Sequence, residues 1–485
     1  MKKLWLRDVY CATPRRWQQI CFFLTGLFVI SAYLRISASP SGPGLARQTE
    51  QIGKGLRFAE EFRARGYAAF DFLLHPLPLS TGITSGTNLG EFPLLSLLSG
   101  LFHAGTLDPW IGVFLTCAFL LALNLYVAYV ELPKLLAAWG AQIAKPFCLL
   151  LWLGSAAIAS NLGVVLADGF ALPLAALGIA RILANDKKFA APLGILALNV
   201  AIATSPALCL TIALVGLAAF FRADLRPRRP ALLAASALSL SLPLWWYFVH
   251  APGAAFTSAH IPNGLGLSGL AHVLWRELHV SQFPIYLGLP IILIGFYLRE
   301  WLVLALFAAA LGLSAASTSL SGALQGMPLA GATLFAVLAL ARILGATSGH
   351  KFLRPILLAC LVWGSLYSVR TNIWVAGRAS QHGKISPWDF ARAARPEIPV
   401  SYRLITDDAS QPTKLMLLGR SGASEGSAVF TACNEAAYAS LPLALVSDSP
   451  PPLGQVLCGG RPREIRHVIA SGMKWYITLL PAPAL

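Results

Sequence analysis

Long apolar runs recur along this chain of 485 residues, from residues 17–34 near the amino terminus to residues 355–369. A helix needs roughly 17–25 apolar residues to cross the hydrocarbon core of a bilayer. Hydrophobic residues make up 56% of the chain and charged residues only 12%, against roughly 25% charged residues in a soluble domain. The sequence therefore predicts an α-helical polytopic membrane protein.

The basic residues indicate how the chain is threaded through the membrane. The formal net charge is +16, and much of the excess lies in short clusters between apolar runs, as in cytoplasmic loops. This distribution argues against nucleic acid as a partner. We predict about eleven spans, at residues 17–34, 110–130, 146–160, 169–182, 190–203, 206–221, 230–249, 286–298, 301–316, 327–344 and 355–369.

The ends of the chain are expected on opposite sides of the membrane. Basic residues precede the first run, which is longer than the apolar core of a signal peptide, so we interpret it as a retained helix with residues 1–16 in the cytoplasm. An odd number of spans places the tail outside. The predicted domains are this amino terminus, a transmembrane module at 17–370 and an outer domain at 371–485.

A polar segment, residues 46–93, interrupts the apolar pattern within a first outer loop at residues 35–109. Loops of this length are usually functional or disordered, and this one is too rich in aromatic residues and leucine for disorder. Residues 49–65 have the spacing of an amphipathic helix lying on the membrane surface, and Gly66 is expected to end it. A second interfacial helix is predicted at residues 93–103.

The tail differs in composition from the rest of the chain. Residues 400–406 and 414–418 are typical of strands, with Asp, Ser, Pro and Gly between them, so we predict a small α/β domain. Cys433 and Cys458 would form a disulfide in an oxidising compartment, or remain two buried thiols. Most other cysteines lie in apolar runs, and none has the spacing of a zinc site.

Two motifs in the first outer loop resemble a known family. Arg47-Gln48-Thr49-Glu50 is followed by an interfacial helix and then by Gly90-Glu91-Phe92-Pro93-Leu94. In order and spacing these resemble the GT-C fold membrane glycosyltransferases, relatives of protein O-mannosyltransferases and of the lipid A aminoarabinose transferase. The resemblance implies transfer of a hexosyl or pentosyl group from a polyprenyl-phosphate donor.

The chain departs from the family pattern at two positions. The family residue at position 50 is typically Asp, whereas Glu50 is one methylene longer and still a carboxylate. Gln51 stands where a second acid would complete a paired motif. The chain also has no DxD-type cluster, so we expect no metal and no cofactor.

The chemistry of such a transfer needs a carboxylate. An acceptor hydroxyl must lose its proton as it attacks the anomeric carbon, and a positioned carboxylate can accept that proton. We predict Glu50 as the catalytic base; the alternative is a surface acid that balances Arg47 or Lys54. Arg47 and Gln48 would orient Glu50 or bind sugar hydroxyls, or Arg47 would anchor the chain at the interface.

Four further residues are candidate substrate ligands, each with a structural alternative. Glu91 would bind substrate or hold the loop, and His75 would bind substrate or be solvated. Asp168 resembles the acid of the family's second outer loop, or caps a helix. Arg276 lies beside His272, Trp275 and His279 and would bind a lipid phosphate, or serve as an interfacial anchor.

The sequence thus favours an inverting glycosyltransferase at the periplasmic face of a bacterial inner membrane. Its partners would be a polyprenyl-phosphate-linked sugar, membrane lipid, and a lipid, glycan or protein acceptor, as in the biosynthesis of lipopolysaccharide or another envelope glycan. The alternatives are a transporter or flippase of lipid-linked glycans, a membrane scaffold, and a glycan polymerase or ligase. Nearly charge-free spans argue against the transporter.

Overall fold

The structure is a computed structural model. It describes residues 15–37, 46–66, 92–105, 108–139, 141, 143–184, 189–210, 212, 228–250, 285–319, 327–350, 352–381, 387–399, 401–406, 422–424, 442–451, 463–470 and 472–482. Three predicted site residues lie outside the described residues: His75, Glu91 and Arg276. The predicted Cys433–Cys458 pair also lies outside them.

Helices account for most of the described chain. They are α1 (Arg15–Ser37), α2 (Ala46–Arg65), α3 (Leu94–Ala104), α4 (Pro109–Tyr126), α5 (Leu132–Ala138), α6 (Lys145–Leu153), α7 (Ala156–Asn161), α8 (Ala167–Ala184), α9 (Ala190–Thr204), α10 (Arg229–Leu238), α11 (Ser241–Leu244), α12 (Ile285–Tyr297), α13 (Trp301–Ser319), α14 (Met327–Ala346), α15 (Leu353–Gln381) and α16 (Pro387–Ala394). Short π or 3-10 segments follow several of them, at Val127–Glu131, Pro206–Leu210, Trp245–His250, Thr347–Gly349 and Arg395–Glu397.

Within the described residues, four helical segments are long and apolar enough to cross a membrane: Arg16–Ile36, Trp110–Ala138, Arg229–His250 and Leu353–Gly377. Each overlaps a predicted span. Other predicted spans correspond to shorter apolar helices, such as Ala190–Thr204 and Trp301–Ala310, and most of residues 206–221 lies outside the described chain. The total of about eleven spans remains a prediction.

The chain divides into two compact units. The first, here called the helical unit, consists of Met1–Tyr33, Gly90–Phe92 and Phe119–Ile373; the second, the loop–sheet unit, consists of Leu34–Leu89, Pro93–Ala118 and Trp374–Leu485. The carboxy-terminal segment therefore shares a unit with the first outer loop. The sequence-based limits 17–370 and 371–485 follow chain order and remain predictions.

Small residues and one polar network organise the helical unit. Gly178 and Gly194 lie where α8 and α9 meet, and a Cβ added at either would come within 2.9 Å of the other's carbonyl oxygen. Such close approach between helices requires small side chains. In the apolar core, buried Asn124 accepts a hydrogen bond from Trp152 Nε1 at 2.9 Å and donates to Leu120 O at 2.8 Å. These bonds offset the cost of burying the amide.

The loop–sheet unit contains one sheet of five strands in its described part. The strands are β1 (Arg403–Thr406), β2 (Gly422–Ser424), β3 (Leu443–Ser447), β4 (Glu464–Ala470) and β5 (Met473–Leu480). Their order is β2-β1-β3-β5-β4; β1 pairs with β2 and β3 in parallel, and β5 pairs with β3 and β4 antiparallel.

Helix and sheet are joined by aromatic packing. The ring centroids of Phe390 in α16 and Trp475 in β5 are 4.9 Å apart. Gly472, at φ +80°, makes the turn between β4 and β5, a conformation that favours glycine. β1 covers residues 403–406 of the strand predicted at 400–406, and residues 414–418 lie outside the described chain.

Candidate functional site

The Arg47-Gln48-x-Glu50 motif lies in the first turns of α2. The helix begins at Ala46, three residues before the predicted start, and ends at Arg65 as expected, followed by Gly66 at φ +58°. The structure describes the backbone of Arg47, Gln48 and Glu50 but not their side chains. Their spacing places Arg47 and Glu50 on one face of the helix, since residues three apart are neighbours on its surface.

Most of α2 between Gln51 and Glu61 is buried within the protein, whereas the sequence predicts an amphipathic helix lying on the membrane surface. Gln51, Arg57 and Glu61 are at most 8% exposed. Arg57 Nη2 lies 2.7 Å from Glu61 Oε1, and Ser96 Oγ donates to Gln51 Oε1 at 3.0 Å. The amphipathic pattern is real, but its polar face finds partners inside the protein because buried charges must be paired.

Close glycine contacts hold α2 against α3, the helix predicted at residues 93–103. A Cβ at Gly55 would lie 2.6 Å from Ser99 Oγ, and a Cβ at Gly100 would collide with the ring of Phe58. Arg63 Nη2 donates to the carbonyl of His103 at 2.5 Å and to that of Ala104 at 3.4 Å. A guanidinium at this position satisfies the last carbonyls of α3 and complements the helix dipole.

His103 is buried between these elements. It is 1% exposed, and neither ring nitrogen has a hydrogen-bond partner. Gly112 faces the imidazole so closely that a Cβ there would collide with it. Burial, with the nearby charges of Arg395 and Arg63, lowers the pKa of His103 to about 3. The ring is therefore neutral at physiological pH and does not serve as a proton carrier there.

In the helical unit, a second group of residues gathers around Asp168, in the first turn of α8. Ser205 Oγ donates to Asp168 Oδ1 at 2.9 Å. The carbonyl of Ala203 accepts the Tyr247 hydroxyl at 2.7 Å and the Phe92 N–H at 3.4 Å. We call the residues around these contacts the Asp168 cluster: Phe92, Asp168, Ala203, Thr204, Ser205, Trp246 and Tyr247.

The Asp168 cluster fixes one motif in place. Phe92, from Glu91-Phe92-Pro93-Leu94, meets the ring of Trp246 edge-on at 5.2 Å. Pro93 caps the start of α3, where its carbonyl accepts the N–H of Leu97 at 2.9 Å. Glu91 thus adjoins the cluster in sequence, although its own position is outside the described residues.

Two polar atoms of the cluster are buried without partners in the described structure. They are Thr204 Oγ1 and Trp246 Nε1, in residues 2% and 1% exposed. Nearby, Trp245 stacks on His250 with centroids 5.2 Å apart and is 46% exposed. Hydroxyl and indole donors beside aromatic rings and a carboxylate are groups that suit a hydroxylated ligand.

The sequence singled out Asp168 and the motif that contains Phe92, but not Thr204, Ser205 or Trp246 as site residues. Ser205, Thr204 and Trp246 occupy the ends of predicted apolar runs, where Trp reads as an interfacial anchor. Their convergence depends on how the helices pack. In the described residues, no group of three or more His, Cys, Asp or Glu side chains is arranged to hold a metal ion.

A second polar cluster, built from ion pairs that include basic side chains, joins other helix ends of the helical unit. Glu131 pairs with Arg181 and, at 3.1 Å, with Lys134. Arg342 pairs with Glu300 at 3.0 Å and donates to the carbonyl of Trp139 at 3.0 Å. The chain positions of these residues are those predicted to face the cytoplasm, whereas residues of the Asp168 cluster belong to predicted outer ends.

Comparison with solved structures identifies the fold. The crystal structure of ArnT from Cupriavidus metallidurans in the apo state matches with a TM-score of 0.53 and 12% sequence identity, covering 94% of this chain and 97% of that chain. The structure of the same protein bound to undecaprenyl phosphate matches with a TM-score of 0.48 and 14% identity, covering 95% and 97%. No protein-family profile and no curated protein matches the sequence.

The likeness to the apo-state structure spans almost all of both chains, while the number of spans and the carboxy-terminal domain stay predictions. At the level of the fold, the predicted resemblance to the GT-C type is confirmed: the chain has a mostly helical, ArnT-like fold.

Proposed function

We propose that the protein is a glycosyltransferase that moves a sugar from a polyprenyl-phosphate donor to a lipid, glycan or protein acceptor. The observation that carries this proposal is the ArnT-like fold over 94% of the chain. The position of Arg47-Gln48-x-Glu50 within α2, and of Phe92-Pro93 at the start of α3, supports it independently. The proposed location is the periplasmic face of a bacterial inner membrane.

The proposed reaction is a displacement at the anomeric carbon. The acceptor hydroxyl gives its proton to the Glu50 carboxylate as its oxygen bonds to that carbon. The bond between the carbon and the phosphate oxygen breaks, and polyprenyl phosphate leaves with the electron pair, so the configuration inverts. Arg47 and Gln48 would orient Glu50 or hold sugar hydroxyls, and Arg276 would bind the phosphate through paired guanidinium donors.

The Asp168 cluster would contribute substrate binding. Asp168 has one oxygen held by Ser205, which fixes the carboxylate for hydrogen bonds to sugar hydroxyls. Trp246 and Thr204 would donate to the same ligand, because each has a buried polar atom without a partner in the described structure. Glu91 would act beside them, and His75 would contact substrate from the first outer loop.

The transporter alternative receives less support from the described helices. Ionisable side chains of the helical unit lie near the ends of predicted spans, as Asp168 and Arg181 do in the first and last turns of α8. A translocation path usually places such groups inside the spans. Groups at helix ends favour chemistry at the membrane surface.

The test is sugar transfer from a crude polyprenyl-phosphate-sugar pool to membrane acceptors by purified protein in lipid. We expect Glu50→Gln to reduce transfer by about 10²-fold or more, since a positioned base contributes typically 10²–10⁴-fold. Glu464→Gln is the matched control, because Glu464 is an exposed acid at the start of β4, and it should retain wild-type transfer. Transfer should also survive EDTA.

Two outcomes would contradict the proposal in different ways. Equal transfer by wild type and Glu50→Gln would remove Glu50 as the base. Movement of an intact lipid-linked glycan across vesicles by the wild type, without bond transfer, would instead establish the flippase.

A further inference from the structure

A segment of the carboxy-terminal region that carries two arginines contacts the helix with the Arg47-Gln48-x-Glu50 motif. We call α16 and the following turn, residues 387–397, the carboxy-terminal arm. Arg395 Nε lies 2.6 Å from Glu60 Oε1 in α2, and Arg395 Nη2 donates to the carbonyl of Leu56 at 3.4 Å. The two charged side chains are 12% and 11% exposed, so the contact is largely shielded from water.

The same arm holds a second element of the loop–sheet unit. Arg392 forms a two-pronged contact with Asp108, at 2.8 Å to Oδ2 and 3.3 Å to Oδ1. Asp108 Oδ1 also accepts the N–H of Trp110 at 2.9 Å, at the start of α4. Bidentate pairing fixes orientation as well as distance. The arm is therefore attached both to α2 and to the entrance of α4.

The other side of the arm is fixed to the sheet. Phe390 packs on Trp475 with centroids 4.9 Å apart. Arg466 of β4 donates to the carbonyl of Glu397 at 3.0 Å. Contacts thus run without interruption from the sheet, through the arm, to α2.

The charges make the Arg395–Glu60 contact hard to replace. Burial lowers the pKa of Arg395 to about 10, so the guanidinium is still charged at neutral pH. Burial, together with the charge of Arg395, also lowers the pKa of Arg63. Loss of one partner of a buried pair leaves a charge that nothing compensates. The carboxylate of Glu60 supplies that compensation for Arg395.

We propose that the carboxy-terminal arm positions Glu50 for transfer by fixing α2, with Arg395 as the positioning residue. This inference rests on the proposed function. Glu60 follows Glu50 by ten residues in one helix, about 15 Å along its axis. A continuous helix transmits an anchor at one end to the other, and a misplacement of about 1 Å can cost about 10²-fold in rate.

The test compares variants of the full-length protein in lipid nanodiscs. Arg395→Gln should lower kcat for transfer at least about tenfold, with the KM for the donor unchanged. Arg395→Lys should recover part of the loss, because lysine keeps the charge beside Glu60 but lacks the guanidinium's second donor to the carbonyl of Leu56. Arg463→Gln is the matched control, because Arg463 is an exposed arginine beside the start of β4, and it should keep wild-type kcat.

Amide hydrogen exchange gives a measurement that does not depend on activity. In Arg395→Gln, exchange should rise in residues 46–65 and remain unchanged in β3 and β5. Wild-type kcat and unchanged exchange in Arg395→Gln would overturn the inference, as would a loss of kcat with unchanged exchange in residues 46–65. If the wild type itself transfers no sugar, the proposed function fails, and exchange at residues 46–65 still decides whether the arm holds α2.

Discussion

At the scale of single residues, His103 shows how burial can keep an ionisable side chain neutral. Its imidazole lies against the backbone at Gly112, with both nitrogens buried and without partners, and two arginines nearby. These surroundings lower its pKa to about 3, from an ordinary value of 6.5. The folded protein therefore keeps the ring neutral at a pH where an unfolded chain would protonate it.

This difference predicts acid sensitivity of the fold. The folded pKa lies below the unfolded value, so stability is complete above pH 6.5 and falls as the unfolded chain takes up a proton. When the pH is lowered from 7 to 5, protonation of this residue in the unfolded chain should reduce the free energy of unfolding by about 2 kcal/mol. His103→Phe should remove that part of the pH dependence, measured as the change in denaturation midpoint in detergent. An equally steep pH dependence in the variant would contradict the assignment.

Local pattern and long-range packing account for different residues of the site. Arg47, Gln48 and Glu50 stood out because a polar motif in an apolar chain is conspicuous, and Asp168 because it begins a helix. Arg395 and Glu60 are 335 residues apart, and nothing in either neighbourhood indicates the other. Pairs of this kind depend on tertiary structure that composition and periodicity do not encode.

At the scale of elements, glycines set how closely α2 and α3 approach. The side chain of Phe58 occupies the space that a Cβ at Gly100 would need. Phe58 is fully buried and packs with Phe62 and Leu97, so it has little freedom to move. Since α2 carries the Arg47-Gln48-x-Glu50 motif, this spacing also affects the candidate site.

Gly100→Ala should therefore destabilise the protein, although alanine is the better helix former. Overpacking typically costs about 1–3 kcal/mol, which exceeds the roughly 1 kcal/mol gained in helix propensity. Gly105→Ala is the control, because Gly105 has negative φ and its nearest obstacle to a Cβ is 3.8 Å away. We expect a lower melting temperature for the first variant only. A melting temperature at or above wild type for Gly100→Ala would show that Phe58 can move aside.

Element boundaries were predictable where a residue such as glycine marks the end of a helix in the sequence. Gly66 ends α2 as expected, and α1, α4 and α15 overlap the predicted spans. The single span predicted at residues 146–160 is instead divided into α6 and α7 around Gly154. A Cβ at Gly154 would lie 2.8 Å from Ser365 Oγ, so the break occurs at a close contact with α15, which is more than two hundred residues away.

At the scale of the whole molecule, contacts within the helical unit sort the helix ends into two groups. The start of α8, the end of α9 and the Trp245–His250 segment meet in the Asp168 cluster. The other end of α8, at Arg181, meets Glu131 and Lys134. The predicted topology assigns these two groups to opposite faces of the membrane. The contacts in the structure join residues within each of these two groups, as that topology predicts. Which group faces outward is a separate prediction.

The basic residues predict that outside face. Lys134, Arg181 and Arg342 belong to the group around Glu131 and Glu300, so the positive-inside rule places this group in the cytoplasm. The Asp168 cluster then faces the periplasm, and about eleven spans bring the tail to the same side.

We expect single-cysteine variants at positions 206 and 464 to react with a membrane-impermeant maleimide in spheroplasts, and one at position 134 to react only after lysis. The native cysteines would first be replaced by serine. Reaction at position 134 in intact spheroplasts would invert the topology and move the proposed transfer to the cytoplasmic face, and protection at 464 alone would change the predicted span number from odd to even.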